Sequence, residues 1–239
     1  MKSLPFQWKL YLIEAFSLGM FMVSASVFTI LLEHPDLPFR TLIPSSDIRR
    51  AIIGFFMGLT AVLLIQSKWG QMSGAHMNPA VTLANLYLKR ISAKDAFYYI
   101  LAQFIGSILF VYLVKILLFD YLSHASISYI VTVPDKNGEL VAFVLEFLMS
   151  FILLLSVLLL SQSKYAKYTP YFVGVLLTVY ITFEAPFTGM SINPARTVGS
   201  AISGGIWNSI WLYFLAPIAG MFCAAFIFSK FYLQEIKKS

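Results

Sequence analysis

Ser73-Gly74-Ala75-His76-Met77-Asn78-Pro79-Ala80 is a loop of small residues that runs into a helix start. Asn78 is a good N-cap, and proline at the first helical position loses nothing, because its missing N–H would have no partner there. The pattern returns 115 residues later as Thr188-Gly189-Met190-Ser191-Ile192-Asn193-Pro194-Ala195. The spacing predicts helices over 79–89 and 194–203. Ten residues give about 15 Å, so two such helices end to end match a bilayer core of about 30 Å. One Asn-Pro-Ala arises by chance in many chains. Two copies at equivalent places predict half-length helices that meet head to head inside a membrane. Two ordinary caps on buried helices are the alternative, which leaves the equivalence of the copies unexplained.

The surrounding composition is that of a membrane protein: of 239 residues, 59% are hydrophobic and only 12% charged. Six apolar runs, near 10–32, 50–67, 97–118, 140–161, 171–187 and 208–230, are long enough to span. They are continuous rather than alternating, which predicts helices rather than a barrel. The first run is too long for a signal peptide, carries Glu14 and lacks a small-residue cleavage site. With the N-terminus inside, Lys2, Lys9, Lys68, Lys89, Arg90, Lys94, Lys164, Lys167, Lys230, Lys237 and Lys238 fall on the inner side. Arg40, Arg49, Arg50, Lys136 and Arg196 fall outside, and Lys115 lies near the outer end of the third run. Eleven against five places both termini in the cytoplasm. The net charge of +6 therefore needs no nucleic-acid partner. Cys223 is the only cysteine, which excludes an internal disulfide and a thiolate metal site; it reads as packing. No metal cluster, activated nucleophile or nucleotide-binding loop is evident, so neither an enzyme nor a cofactor is expected.

The two loops belong to a duplication. Gly58 and Gly174, each after an apolar pair beginning with Phe, are 116 residues apart; Gly106 and Gly220 are 114 apart, and Glu14-Ala-Phe answers Glu146-Phe-Leu at 132. These glycines read as small residues at close helix contacts. Each half holds three runs, an odd number, so the second half is inverted. The loop at 68–78 then dips in from the cytoplasm and that at 184–193 from outside, and both reach the centre. Each helix N-terminus carries about half a positive charge, so the opposed pair repels cations and protons at mid-membrane. The Asn78 and Asn193 oxygens cap their helices, and their NH2 groups are expected to offer donors to a lumen.

The chain resembles the aquaporin, or major intrinsic protein, family over nearly its whole length. The resemblance rests on Ser73 to Thr82, on Gly189 to Arg196 and on the Glu14/Glu146 pair. It implies an all-α membrane protein with six transmembrane helices and two re-entrant half-helices in an inverted repeat. It also implies one channel domain over 1–239, with repeats at about 8–118 and 140–231, and a homotetramer in a lipid bilayer with a pore in each subunit. The family's selectivity filter maps onto Met57, Ile181, Met190 and Arg196, with Phe56 as a rival to Met57. Strict water channels in the family have an aromatic where this chain has Met57 and His where it has Ile181. The glycerol-facilitator branch has Asp where this chain has Thr197, and small or Pro-type residues where it has Tyr213-Phe214. The expected cargo is water, passed without ions or protons through an apolar, methionine-containing filter; glycerol, urea or ammonia is the alternative. Methionine at the loop position removes the usual cysteine target of mercury.

Glu14 and Glu146 need a reason to lie inside a membrane. The inverted geometry puts each beside one irregular loop, whose unpaired N–H groups it can accept; snorkelling to the headgroups is the alternative, and proton coupling a weaker one. His76 is pore-lining by resemblance, with a pH gate or a structural role as alternatives. Glu184 and Pro186 lead into the outer loop. A secondary transporter also uses inverted repeats and broken helices but normally shows paired midplane charges, and a structural membrane-junction protein would tolerate a closed pore. Short termini without targeting segments point to a microbial plasma (inner) membrane.

Overall fold

The computed structural model describes residues 7–232. Lys2, Lys237 and Lys238, and with them both chain ends used in the charge argument, lie outside the described residues. Eight helices carry the architecture: α1 (Trp8–Glu33), α2 (Ser46–Gln66), α3 (Pro79–Tyr87), α4 (Ala93–Leu117), α5 (Glu139–Ser161), α6 (Thr169–Phe183), α7 (Pro194–Gly204) and α8 (Ile210–Ile227). Short helical turns such as Lys68–Ser73 and Ala185–Thr188 sit in the connections.

Helices α1, α2, α4 and α5 and the segment Ile210–Phe231 are long and apolar enough to cross a membrane. Two of them outrun their apolar windows because polar caps start them earlier. Ser45 Oγ accepts from the Ile48 N–H at 3.4 Å, so α2 begins at Ser46. Ser92 Oγ accepts from the Asp95 N–H at 3.1 Å, so α4 begins at Ala93. The fifth apolar run, read as one stretch over 171–187, is divided. Helix α6 has 15 residues, about 22 Å; the chain breaks at Glu184 and resumes as Ala185–Thr188. Helices α3 and α7, with 9 and 11 residues, together give about 30 Å, the length of one split span.

Three close pairings build the frame: α1 along α4, α5 along α8, and α2 along α6. Each turns on a glycine. A Cβ on Gly106 would lie 2.0 Å from the Ala15 carbonyl oxygen, and one on Gly220 would lie 2.3 Å from that of Phe147. Ala15 and Phe147 directly follow Glu14 and Glu146, so the two contacts are the same contact in the two halves. Gly58 faces Gly174 across the centre, where a Cβ would meet the Gly174 oxygen at 2.3 Å.

Polarity is arranged as in lipid. Glu14, Gln103 and Glu146 are wholly buried, while Phe55, Leu63, Phe97, Leu109, Ile116 and Val175 are exposed on the long helices. The helix ends divide the remaining charges between two faces. One face carries Lys9, Lys68, Lys89, Arg90, Lys94, Lys164, Lys167 and Lys230, with Asp95 its only acidic residue among the described ones. The opposite face mixes both signs, as in the ion pairs Arg49–Glu33 and Arg50–Asp47.

Candidate functional site

The re-entrant loops take the same unusual backbone path. Gly74, Ala75 and Met77 have φ of 82°, 47° and 46°; Gly189, Met190 and Ile192 have 75°, 49° and 48°. Only glycine enters this region freely, and each other residue there costs about 1–2 kcal/mol. The buried carboxylates hold the loops in place. Glu14 Oε1 accepts from the Ser73 hydroxyl (2.8 Å) and the His76 N–H (3.0 Å), and its Oε2 accepts from the Met77 N–H (2.6 Å) and the Gln103 amide (2.8 Å). Glu146 accepts from the Thr188 hydroxyl (2.8 Å) and from the N–H groups of Ser191 (2.8 Å) and Ile192 (2.6 Å). Both carboxylates are thus inside the frame, bound to loop donors, rather than directed to headgroups.

The two helix N-termini meet. Asn78 Oδ1 accepts from the Ala80 N–H (2.9 Å), and Asn193 Oδ1 from those of Ala195 (3.1 Å) and Arg196 (3.2 Å). Asn78 Nδ2 donates to the Ile192 carbonyl at 2.7 Å, and Asn193 Nδ2 donates to the Met77 carbonyl at 2.8 Å. The NH2 groups expected to offer donors to a lumen thus also bond across to the opposite loop. One hydrogen of each amide locks the opposite loop, which leaves one for the lumen. Pro79, Ala80, Pro194 and Ala195 are buried behind the asparagines as the first turns of α3 and α7.

A cavity of about 850 Å³ passes this junction and is lined by Asn78 and Asn193. Toward the mixed-charge face it is lined by Met57, Ile181, Met190 and Arg196, and farther out by Glu33 and Arg50. Toward the basic face it is lined by His76 and Val81, then by Asn85, Arg90 and Thr169. The four filter candidates are therefore brought together. The choice between Met57 and Phe56 falls to Met57: the Phe56 ring stacks on Phe28 at 4.3 Å and is not on the cavity wall. Arg196 Nη1 donates to the Ile130 carbonyl at 3.0 Å. His76 is both wall and frame: its Nδ1 is 3.1 Å from Thr82 Oγ1, and its ring packs edge-on against Tyr99 at 5.2 Å. Cys223 is not on the cavity wall. No group of three or more His, Cys, Asp or Glu that could hold a metal occurs among the described residues.

Several supporting residues escaped the sequence reading. The Tyr99 hydroxyl donates to the Ser73 carbonyl (2.9 Å) and that of Tyr213 to the Thr188 carbonyl (2.6 Å). These tyrosines are 114 residues apart, as are Gly106 and Gly220, so the repeat held the signal. Gln103 also bonds Thr82 at 3.0 Å, and Thr197 meets Thr132 at 3.1 Å. The partner carbonyl of Arg196 lies in Ser128-Tyr129-Ile130, with φ of 46°, 54° and 54°, and no glycine marks it.

Comparison with known proteins agrees with this geometry. The family described as Major intrinsic protein matches residues 1–228. "Glycerol uptake facilitator protein-like 6" of Lactiplantibacillus plantarum is 37% identical over 181 residues, 73% of this chain and 82% of the relative. "Aquaporin A" of Dictyostelium discoideum is 33% identical over 202 residues, 80% of this chain and 68% of the relative. The X-ray structure of the aquaglyceroporin from Plasmodium falciparum superposes with a TM-score of 0.81, covering 97% of this chain and 99% of that one; at 20% identity it speaks to the fold. The chain belongs to the major intrinsic protein family, and it is one of that family's membrane channels rather than an enzyme.

Proposed function

We propose that this channel conducts water passively, and excludes ions and protons. The observation that carries the reading is the reciprocal pair of Asn78 and Asn193 bonds, which sets two helix N-termini against each other on the wall of the cavity. Aligned peptide dipoles make that point positive, so cations are repelled and a water turns its oxygen toward the remaining amide hydrogens. Water so oriented cannot pass a proton along the file. Met57, Ile181, Met190 and Arg196 form the filter on one side of this centre, with three apolar walls and one cation. The carboxylates of Glu14 and Glu146 are occupied by loop donors, which argues against ion coupling of the transporter kind.

The branch reading, aquaporin rather than glycerol facilitator, rests on Thr197 and on Tyr213-Phe214. A second reading, passage of glycerol, urea or ammonia, is favoured by the flexible methionines, which adapt in width, and by the printed name of the L. plantarum relative. We place the chain in the plasma (inner) membrane with both termini and the basic face cytoplasmic. We further propose one channel domain over 1–239, with repeats at about 8–118 and 140–231, assembled as a homotetramer with a pore in each copy. Stopped-flow shrinkage of proteoliposomes in sucrose, glycerol, urea and ammonia gradients tests the reading. Fast water efflux that needs no ion gradient is expected. Efflux no faster than from protein-free vesicles would overturn the channel, and fast glycerol entry would move the assignment to the second reading.

A further inference from the structure

The connection between α5 and α6 carries two Lys-Tyr pairs three residues apart, Lys164-Tyr165 and Lys167-Tyr168. It is wound as a 3-10 turn, with the Tyr168 N–H donating to the Tyr165 carbonyl at 2.8 Å. Tyr165 and Tyr168 close this turn, with Lys167 inside it and Lys164 just before it. Lys164 Nζ lies 5.2 Å from the Tyr165 ring centroid and Lys167 Nζ 5.0 Å from that of Tyr168. All four side chains are exposed. Neither lysine makes an ion pair among the described residues, and no side chain from Lys164 to Tyr168 hydrogen-bonds another element there.

The position of the turn says what meets it. It joins the end of one spanning helix to the start of the next, at the level of the lipid headgroups, where tyrosine rings and lysines settle. The surrounding face is basic, and the oxygens of Asp95, its one described carboxylate, already accept from the hydroxyls of Tyr11 and Ser92 at 2.6 Å each. Ala166 and Thr169, within and just after the turn, line the mouth of the cavity. We propose that Lys164, Tyr165, Lys167 and Tyr168 form a headgroup site for an anionic phospholipid of the surrounding bilayer, which holds the α5–α6 connection beside the mouth of the passage. The lysines neutralise the phosphate, and the rings bury against glycerol and upper acyl carbons. This binding is independent of which solute the channel carries.

Delipidated protein in neutral detergent, offered equal amounts of phosphatidylglycerol and phosphatidylcholine, tests the site with lipid retention read by native mass spectrometry. The native protein is expected to retain phosphatidylglycerol preferentially. Each basic residue near an anionic surface contributes about fivefold, so K164Q/K167Q is expected to lose roughly thirtyfold of the preference. K164R/K167R keeps it, and so does K230Q, which removes a charge from the same face. Unchanged phosphatidylcholine retention and an unchanged unfolding midpoint certify the fold of K164Q/K167Q. Equal retention of the two lipids by the native protein, an undiminished preference in K164Q/K167Q, or an equal loss in K230Q would overturn the site. Displacement of the lipid by an equal concentration of glycerol 3-phosphate would also overturn it, by assigning the lysines to a soluble phosphate.

Discussion

Replacing Glu14 with leucine is expected to release the first re-entrant loop while leaving the helices that frame it. The carboxylate takes four donors, from Ser73, His76, Met77 and Gln103, and leucine accepts none. Ser73 and Gln103 carry rotatable groups that can find other partners. The His76 and Met77 N–H groups belong to a buried backbone turn, and each left unpaired costs about 1–3 kcal/mol, or about 2–6 kcal/mol together. The same acceptor holds Ala75 and Met77 at φ of 47° and 46°, which stores about 2–4 kcal/mol. Because the two quantities are of similar size, the strained path survives only while its acceptor is present. Without it the loop relaxes toward negative φ and carries the Met77 carbonyl away from Asn193 Nδ2, now 2.8 Å distant. Glu14→Gln keeps the shape and one acceptor oxygen but sets an amide donor against a neighbouring N–H, for a loss of about 1–3 kcal/mol. Thermal unfolding in detergent and osmotic permeability per protein in vesicles measure the two consequences. The unfolding midpoints should fall in the order native, Gln, Leu, with permeability following. A leucine variant with the native midpoint and the native permeability would refute the claim that this carboxylate holds the loop.

Arg196→Val removes the one cation of the proposed filter; glycerol and urea entry should rise severalfold in stopped-flow traces, and an unchanged solute profile would count against the filter. Gly106→Val sets a side chain 2.0 Å from a backbone oxygen of α1, which cannot move aside without parting α1 from α4; overpacking of about 1–3 kcal/mol or more should lower the unfolding midpoint, and a native midpoint would contradict the contact. Mercury should inhibit water flux only weakly, since Cys223 lies off the cavity wall; strong block relieved by Cys223→Ser would refute this.

The spans and the two half-helices were legible because their signals are local: long apolar runs, and a cap followed by proline. The Glu14/Glu146 pair was legible because a buried carboxylate in a span demands donors, and the inverted repeat says where they are. The loop geometry was not. Ala75, Met77, Met190 and Ile192 are residue types that give no local sign of positive φ, and what holds them there lies on another helix. The cross-loop bonds of the asparagine amides were not legible for a related reason: a side chain's own cap can be read from neighbouring residues, but its bond to a carbonyl 114 or 116 positions away needs the folded chain. Met57 and Phe56 are adjacent in sequence, and what separates them is the fold: Phe56 stacks on Phe28 while Met57 lines the cavity. The fifth run misled because apolarity continues through Phe183 and Phe187 while the helix breaks at Glu184 between them.

The proposed filter lies where the duplication stops being symmetrical. What the halves share is the centre: the asparagines, the prolines, Thr82 with Thr197, Tyr99 with Tyr213, Glu14 with Glu146. The offsets of 115 and 116 that pair the loops and the Gly58/Gly174 helices also pair Arg196 with Val81, Met190 with Ala75, Met57 with Val173 and Ile181 with Ile65. All eight residues line the cavity. On the basic-face side each partner is uncharged and the same size or smaller, so no cation stands at the equivalent place. The dipolar barrier proposed at the centre comes from backbone that both halves must supply to meet at all, and such a barrier acts on any ion regardless of size. Selection among neutral molecules needs a narrow wall with a fixed donor, and side-chain changes in one half suffice to build it. The proposed ion exclusion is therefore tied to the symmetry of the fold, whereas the proposed solute choice rests on four positions that the symmetry does not constrain.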